Sequence, residues 1–173
     1  MAMPIWNNPS ANIAMDFYLG QANVSASRLR VNSFGAGDFY LQPIWLSWDK
    51  KKFSTAVSYG IWVPTGKYKV NASDNIGLGY FSHNFRLAAR YRPKPQVTLM
   101  GALTLEANHK QKKIDFTEAP HLTVDFGAAS SLKGGHELGI FGFGMWQTGS
   151  DRGSKAVLNK DRMMGVGLFG SYW

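Results

Sequence analysis

The chain has 173 residues, 45% of them hydrophobic and 14% aromatic, with 19 Gly and no Cys, so it is sized for one domain and has neither a disulfide framework nor a thiolate metal site. Its formal charge of +8 sits in short clusters, Asp49-Lys-Lys-Lys52, Lys110-Gln-Lys-Lys113 and the stretch from Arg152 to Arg162, that lie between apolar segments rather than within them. The aromatics fall inside alternating apolar runs and are not interleaved with those lysines, which argues against nucleic acid as a partner.

No apolar run is long enough for a transmembrane helix. The start, Met1-Ala-Met-Pro-Ile-Trp6, has neither the basic n-region nor the apolar h-region of an export signal, so the sequence is a mature form, a piece of a longer chain, or evidence against export.

Alternation with period 2 dominates and predicts strands in chain order. The first is Ile13 to Asn23, where Ile13, Met15, Phe17 and Leu19 alternate with Ala14, Asp16, Tyr18 and Gly20, followed by a polar connection from Ser25 to Ala36. Asp38 to Trp48 is the second, and Phe53 to Val63 the third, with Phe53, Thr55, Val57, Tyr59 and Ile61 opposite Ser54, Ala56, Ser58 and Gly60. Tyr80 to Tyr91 sets Phe81, His83, Phe85 and Leu87 against Ser82, Asn84, Arg86 and Arg90, and Gln96 to Asn108 gives the cleanest segregation of all. His121 to Leu132, Glu137 to Gln147 and Met163 to Trp173 complete eight, although the last two carry apolar residues on both faces.

The connections alternate long and short: 25–36, 49–52, 64–79, 92–95, 109–120, 133–136 and 148–162. Such a rhythm is expected of an up-and-down antiparallel barrel with long loops on one rim, as in outer-membrane barrels. Strands of roughly 9 to 13 residues cover the hydrocarbon core when tilted, which takes about 9 to 11. Tyr40, Trp45, Trp48, Trp62, Tyr91, Trp146 and other aromatics lie toward strand ends, as an interfacial girdle requires. The alternative is a soluble barrel or sandwich with the apolar face inward. Against it stands the other face, rich in Ser, Ala, Gly and Thr and poor in Lys and Glu, which suits a narrow lumen better than a watered surface. The expected fold is an all-β, single-domain transmembrane barrel over 1–173.

Gly37-Asp-Phe-Tyr-Leu-Gln-Pro-Ile-Trp-Leu-Ser-Trp48, Val63-Pro-Thr-Gly-Lys-Tyr68 and Asn75-Ile-Gly-Leu-Gly-Tyr-Phe-Ser-His83, followed by Leu105-Glu-Ala-Asn108, Pro120-His-Leu-Thr-Val-Asp-Phe-Gly127 and Glu137-Leu-Gly-Ile140, resemble the MetA-pathway phenol-degradation family from about Gly35 to Trp173. The resemblance implies an outer-membrane barrel that takes up hydrophobic or aromatic compounds. Members of that family carry further strands ahead of the Gly-Asp segment, and residues 1–24 are too few to supply them, so a shortened version of a larger barrel is a second form of the same expectation.

Arg86, Arg90, Glu106 and Asp125 fall on the polar faces of three consecutive strands. They could line or gate a path, or merely neutralise charge that a narrow interior cannot leave unpaired. Lys67, Lys69, Lys110, Lys112, Lys113, Arg152, Lys155 and Lys160 belong to the three long loops, where lipopolysaccharide phosphates would be met, or where they are simply solvated. His83, His109, His121 and His136 lack the spacing of a paired metal-ligand set, and Ser82 and His83, adjacent on a strand, point to opposite faces. No catalytic residue, metal or cofactor is expected. The leading functional reading is a passive channel for small hydrophobic or aromatic solutes in outer-membrane lipid. The second is a structural or anchor barrel with a filled lumen, and the sequence leaves the oligomeric state open.

Overall fold

A computed structural model describes residues 14–16, 19–26, 29–72, 74–156 and 160–171, with side chains from residue 35 onward. Ten strands follow one another: β1 (Ala14–Asp16), β2 (Leu19–Ala26), β3 (Leu29–Ala36), β4 (Phe39–Asp49), β5 (Phe53–Val63), β6 (Ser82–Lys94), β7 (Val97–Asn108), β8 (His121–Ser131), β9 (Glu137–Gln147) and β10 (Arg162–Ser171). Among the described residues there is no α-helix, only a single 3-10 turn at Lys133–Gly135. Eight strands form one antiparallel sheet in the order β1-β4-β5-β6-β7-β8-β9-β10, and β2 pairs with β3 in a hairpin. The all-β, up-and-down antiparallel expectation therefore holds. The sheet has two edges, β1 and β10, and is not closed on itself.

The segment up to Ala36 departs from the sequence reading. Residues 29–36, expected as a connection, form β3 and pair with β2 from Leu19↔Ala36 to Ala26↔Leu29. The expected first strand is split: only Ala14–Asp16 joins the main sheet, against Tyr40 to Gln42, and β2 continues beside β3. Val24 is the register partner of Val31 in that hairpin, but polar neighbours on both sides in the sequence hid its alternation. Ile13, Phe17, Tyr18, Tyr172 and Trp173 lie outside the described residues.

From β4 onward the short turns lie at one rim and the long connections 64–81, 109–120 and 148–161 at the other. Proline decides two details. The register shifts between Leu41 and Ile44, and again between Tyr91 and Lys94, with Pro43 and Pro93 at the two irregularities. Proline cannot donate to a ladder, so it is tolerated where a bulge removes the need. The first bulge turns Ile44, Leu46 and Trp48 outward and Trp45, Ser47 and Asp49 inward, whereas unbroken alternation after Gln42 would do the reverse.

Burial is inverted relative to a water-soluble sheet. Ser54 is 2% exposed and Ser82 0%, with Ser58, Thr104 and Gln147 also buried. Leu103 is 47% and Phe126 52% exposed, in company with Leu87, Leu99, Leu105 and Ile140. The small and polar face is thus the inner one. Its side chains also bond across an intervening strand, as Arg90 on β6 does to Asp49 on β4.

Glycine resolves the two strands whose faces looked alike. Phe143 pairs across from Gly165, Phe141 from Gly167 and Phe169 from Gly139, all on the inner face. A Cβ on Gly165 would come within 2.6 Å of the Phe143 ring and one on Gly167 within 2.7 Å of Phe141, so each ring lies over a bare backbone. Three aromatics expected at an outer girdle are instead inward: Trp45 pairs with inner-face Ser58, and Tyr40 with Trp62, their ring centroids 4.7 Å apart.

Candidate functional site

The inner face of β6, β7 and β8 carries the polar row. Arg86 reaches over β7 to Asp125, Nη2 to Oδ2 2.9 Å, and donates from Nη1 to the Thr104 hydroxyl at 2.9 Å. Arg90 turns to the short-turn rim instead, where Nη2 lies 3.1 Å from Asp49 and donates to Ser54 at 2.8 Å. Glu106 sits at the other end, accepting from Asn84 at 3.5 Å. The four charged residues named from sequence therefore share a face but divide among three places, with only Arg86 and Asp125 directly paired. Asp49, read as part of a turn, was the missed partner. The inner-face aromatics flank this row: Trp45 and Trp62 on β4 and β5, and Phe141, Phe143 and Phe169 on β9 and β10.

The long-loop rim is built around Asp38, which is buried at the start of β4. Its Oδ1 accepts the Gly66 amide at 2.8 Å and its Oδ2 the Leu78 amide at 2.7 Å, so one carboxylate pins both arms of the 64–81 loop. Gly66 and Gly77 pass so closely that a Cβ on Gly66 would lie 2.8 Å from the Gly77 Cα. Asn75 closes the loop from within, accepting from the Lys69 amide at 2.7 Å and donating to the Lys69 carbonyl at 2.8 Å. The Gly-Asp, Pro-Thr-Gly and Asn-Ile-Gly motifs thus converge on one clasp.

Beside it the other two long loops are tied together. Thr117 and Arg152 exchange backbone hydrogen bonds of 2.8 and 2.9 Å. Asp115 accepts from the Ser154 amide at 3.0 Å and pairs with Lys110 at 2.7 Å. The hydrogen bond from Lys110, reinforced by the Ser154 amide, holds the Asp115 carboxyl below its ordinary range, and Lys67 does the same to Asp74. Gln147, at the end of β9, donates to Asp151 at 2.7 Å and accepts the Asp161 amide at 2.9 Å. Asp151 also accepts the Ala119 amide at 3.0 Å.

These loops border a cleft of about 330 Å³ lined by Tyr68, Leu78, Tyr80, Gln111, Glu118 and Asp161, among others. Tyr80 is buried and donates its hydroxyl to Glu118 Oε2. Burial first, and the Glu118 carboxylate second, push the Tyr80 phenol well above its ordinary value of 10.0, so it stays a donor. Glu118 Oε1 faces His121 Nε2 at 3.7 Å. Donor atoms of Glu118, His121 and Asp161 all lie within 4.8 Å of one another. The spacing of the histidines gave no hint of this, because the two carboxylates come from separate loops.

On the outer face, near the same rim, Tyr59 Oη meets His83 Nδ1 at 2.7 Å and His83 Nε2 meets His109 Nε2 at 2.8 Å. Ser82 is on the opposite face and donates to Asn108 at 2.7 Å, so Ser82 and His83 do not cooperate. The basic residues Lys67, Lys69, Lys110, Lys112, Lys113, Arg152, Lys155 and Lys160 are all in loops of this rim. Lys67 and Lys110 are paired with Asp74 and Asp115, while the other six form no ion pair among the described residues.

An antiparallel sheet with a small, polar inner face, an apolar outer face and one rim of mutually clasped loops defines the class to which this protein belongs. Within that class, a family described as "Putative MetA-pathway of phenol degradation" matches residues 9–173, and the chain belongs to that family. The match reaches further toward the N-terminus than the likeness legible from Gly35 onward. No curated protein matches the chain.

Proposed function

We propose that this protein is a β-barrel of the bacterial outer membrane that passes small hydrophobic or aromatic compounds through its lumen without acting on them chemically. The observation that carries the reading is the inverted burial: Leu87, Leu103 and Phe126 are outward while Ser54, Ser58 and Ser82 are buried. In water, apolar burial stabilises a sheet by roughly 25 cal/mol per Å², so an arrangement that leaves large side chains outward is favoured only where lipid receives them. The barrel closes when the β10 edge meets β1 or a further strand. The two aromatic flanks of the inner face then adjoin, opposite the Arg86–Asp125 row. Such a lumen offers ring-stacking surface on one wall and hydrogen bonds on the other, which suits a phenol-like solute. Membership in a phenol-degradation family agrees with that class of cargo. Unpaired lysines of the loop rim would meet lipopolysaccharide phosphates.

The test is flux of 4-nitrophenolate, a coloured aromatic anion, into liposomes holding the folded protein. Uptake several-fold above empty liposomes is expected; uptake equal to the empty control, with folding verified by gel mobility before and after heating, would sink the transport reading. The Arg86–Asp125 pair, reaching across the inner face at 2.9 Å, favours one alternative, a structural barrel plugged by its own side chains. In that case wild type is silent, and Arg86→Ala with Asp125→Ala opens a path for ions.

A further inference from the structure

We infer that Glu118, His121 and Asp161 form a binding site for one divalent first-row transition-metal ion, Zn²⁺ being the probe of choice, and that the ion staples the 109–120 loop to the 148–161 loop. The three residues come from three places: Glu118 from the end of one loop, His121 from the first position of β8 and Asp161 from the end of the other loop. Their donor atoms lie within 4.8 Å of one another. Zinc holds nitrogen and carboxylate oxygen at about 2.0–2.2 Å in a tetrahedron, which sets its donors roughly 3.4 Å apart; the Glu118–His121 pair at 3.7 Å is close to that, and the widest pair closes by side-chain rotation of roughly 1 Å.

A second observation concerns the imidazole. His121 is only 8% exposed, yet its ring makes no hydrogen bond among the described residues; the nearest charged atom to Nε2 is Glu118 Oε1, at 3.7 Å. With Nε2 turned to a carboxylate at more than hydrogen-bond distance, the gap between Nε2 and the two carboxylates can take a cation that draws all three donors onto itself. The surrounding contacts hold the donors in place. Tyr80 occupies Glu118 Oε2 and leaves Oε1 turned to the histidine, and Gln147 fixes the Asp161 backbone at 2.9 Å. Outer contacts of this kind are what orient metal ligands. One imidazole with two carboxylates suits Zn²⁺, Mn²⁺ or Ni²⁺ better than the all-oxygen sets of Ca²⁺ and Mg²⁺. The remaining position opens on the 330 Å³ cleft, where water or a small ligand fits.

The full chain, folded in detergent and stripped with a chelator, is titrated with ZnCl₂ by calorimetry. One Zn²⁺ per chain is expected, with affinity lowered at least tenfold in Asp161→Asn and in His121→Gln and unchanged in His83→Gln, which disturbs only the outer-face histidine pair. Zn²⁺ also slows proteolysis of both loops in wild type and not in Asp161→Asn. Should His121→Gln fail to fold, Asp161→Asn, an exposed loop change, decides alone. Equal Zn²⁺ affinity in wild type and Asp161→Asn would overturn the site, as would loss of binding in His83→Gln. Displacement of Zn²⁺ by an equal concentration of Ca²⁺ would overturn the choice of metal class.

Discussion

Arginine in place of Leu103 distinguishes a lipid-facing outer surface from a watered one. Leu103 stands near the middle of β7, outward and half exposed, between Leu87 on β6 and Val124 on β8. If water covers that face, Arg at a half-exposed surface position changes stability within about 0.5 kcal/mol. If hydrocarbon covers it, Arg at mid-depth costs about 2–4 kcal/mol, falling to about 0–1 kcal/mol near the interface. Leu132 supplies the interfacial control, since it is outward and follows directly on β8 at the short-turn rim. At about 1.4 kcal/mol per decade, Leu103→Arg should lower the folding equilibrium roughly 30- to 700-fold and Leu132→Arg roughly fivefold at most. Reversible folding into phosphatidylcholine vesicles, followed by tryptophan fluorescence across a urea series, reads both. Equal and small effects of the two changes would refute the lipid-facing assignment.

Removing the carboxylate in Asp38→Ala leaves the Gly66 and Leu78 amides without an acceptor; at about 1.5–3 kcal/mol for each bond to a charged group, hydrogen exchange at both amides should rise at least tenfold, and unchanged protection would contradict the clasp. Gly66→Ala acts on the same loop through space, because its Cβ meets the Gly77 backbone, and it should raise cleavage within 64–81 by a loop-directed protease while the strands stay protected. Arg86→Ala strands the Asp125 carboxylate inside the sheet and should cost more than the Arg86→Ala, Asp125→Ala double change, a non-additivity of about 0.5–3 kcal/mol measurable by a urea double-mutant cycle; strictly additive losses would mean that the pair is not coupled. Tyr80 titrates above its ordinary 10.0, so a phenolate difference spectrum between wild type and Tyr80→Phe should be flat through pH 10. The sign follows: the unfolded phenol ionises first as pH rises, so Tyr80 favours the folded loop fully below pH 10 and progressively less above it. A step near pH 10 in that difference spectrum would show the phenol to be solvated.

The six strands β5 through β10 were legible to within three residues at their ends, and in β5 through β8 the faces were legible too, because alternating size and polarity has only one reading when strands are long and one face is bare of charge. Pro43 hid the inner aspect of β4: the bulge it permits exchanges the two faces beyond Gln42, and period-2 counting cannot register a skipped residue. Gly139, Gly165 and Gly167 hid the faces of β9 and β10, since an aromatic lying over a cross-strand glycine looks in sequence like an apolar residue on the wrong side. The β2–β3 hairpin went unseen because the non-polar members of its alternation are mostly small, Gly20, Ala22 and Ala26 among them, and stand between polar residues such as Gln21, Asn23 and Ser25.

Of the candidate sites, the shared face of Arg86 and Asp125 could be counted from strand parity, while the choice of Asp49 for Arg90 depended on the bulge. The Asp38 clasp lay inside motifs already visible as a family likeness, but nothing in a linear chain says that Gly66 and Leu78 offer their amides to one carboxylate. Glu118, His121 and Asp161 illustrate the same limit more sharply. By itself the sequence determined the strand alternation, the long-short rhythm of the connections and the inward set of small residues, all of which are local and periodic. Only the tertiary structure decided which loop ends meet at the rim, because that depends on strand register and on hydrogen bonds between residues 28 to 40 positions apart.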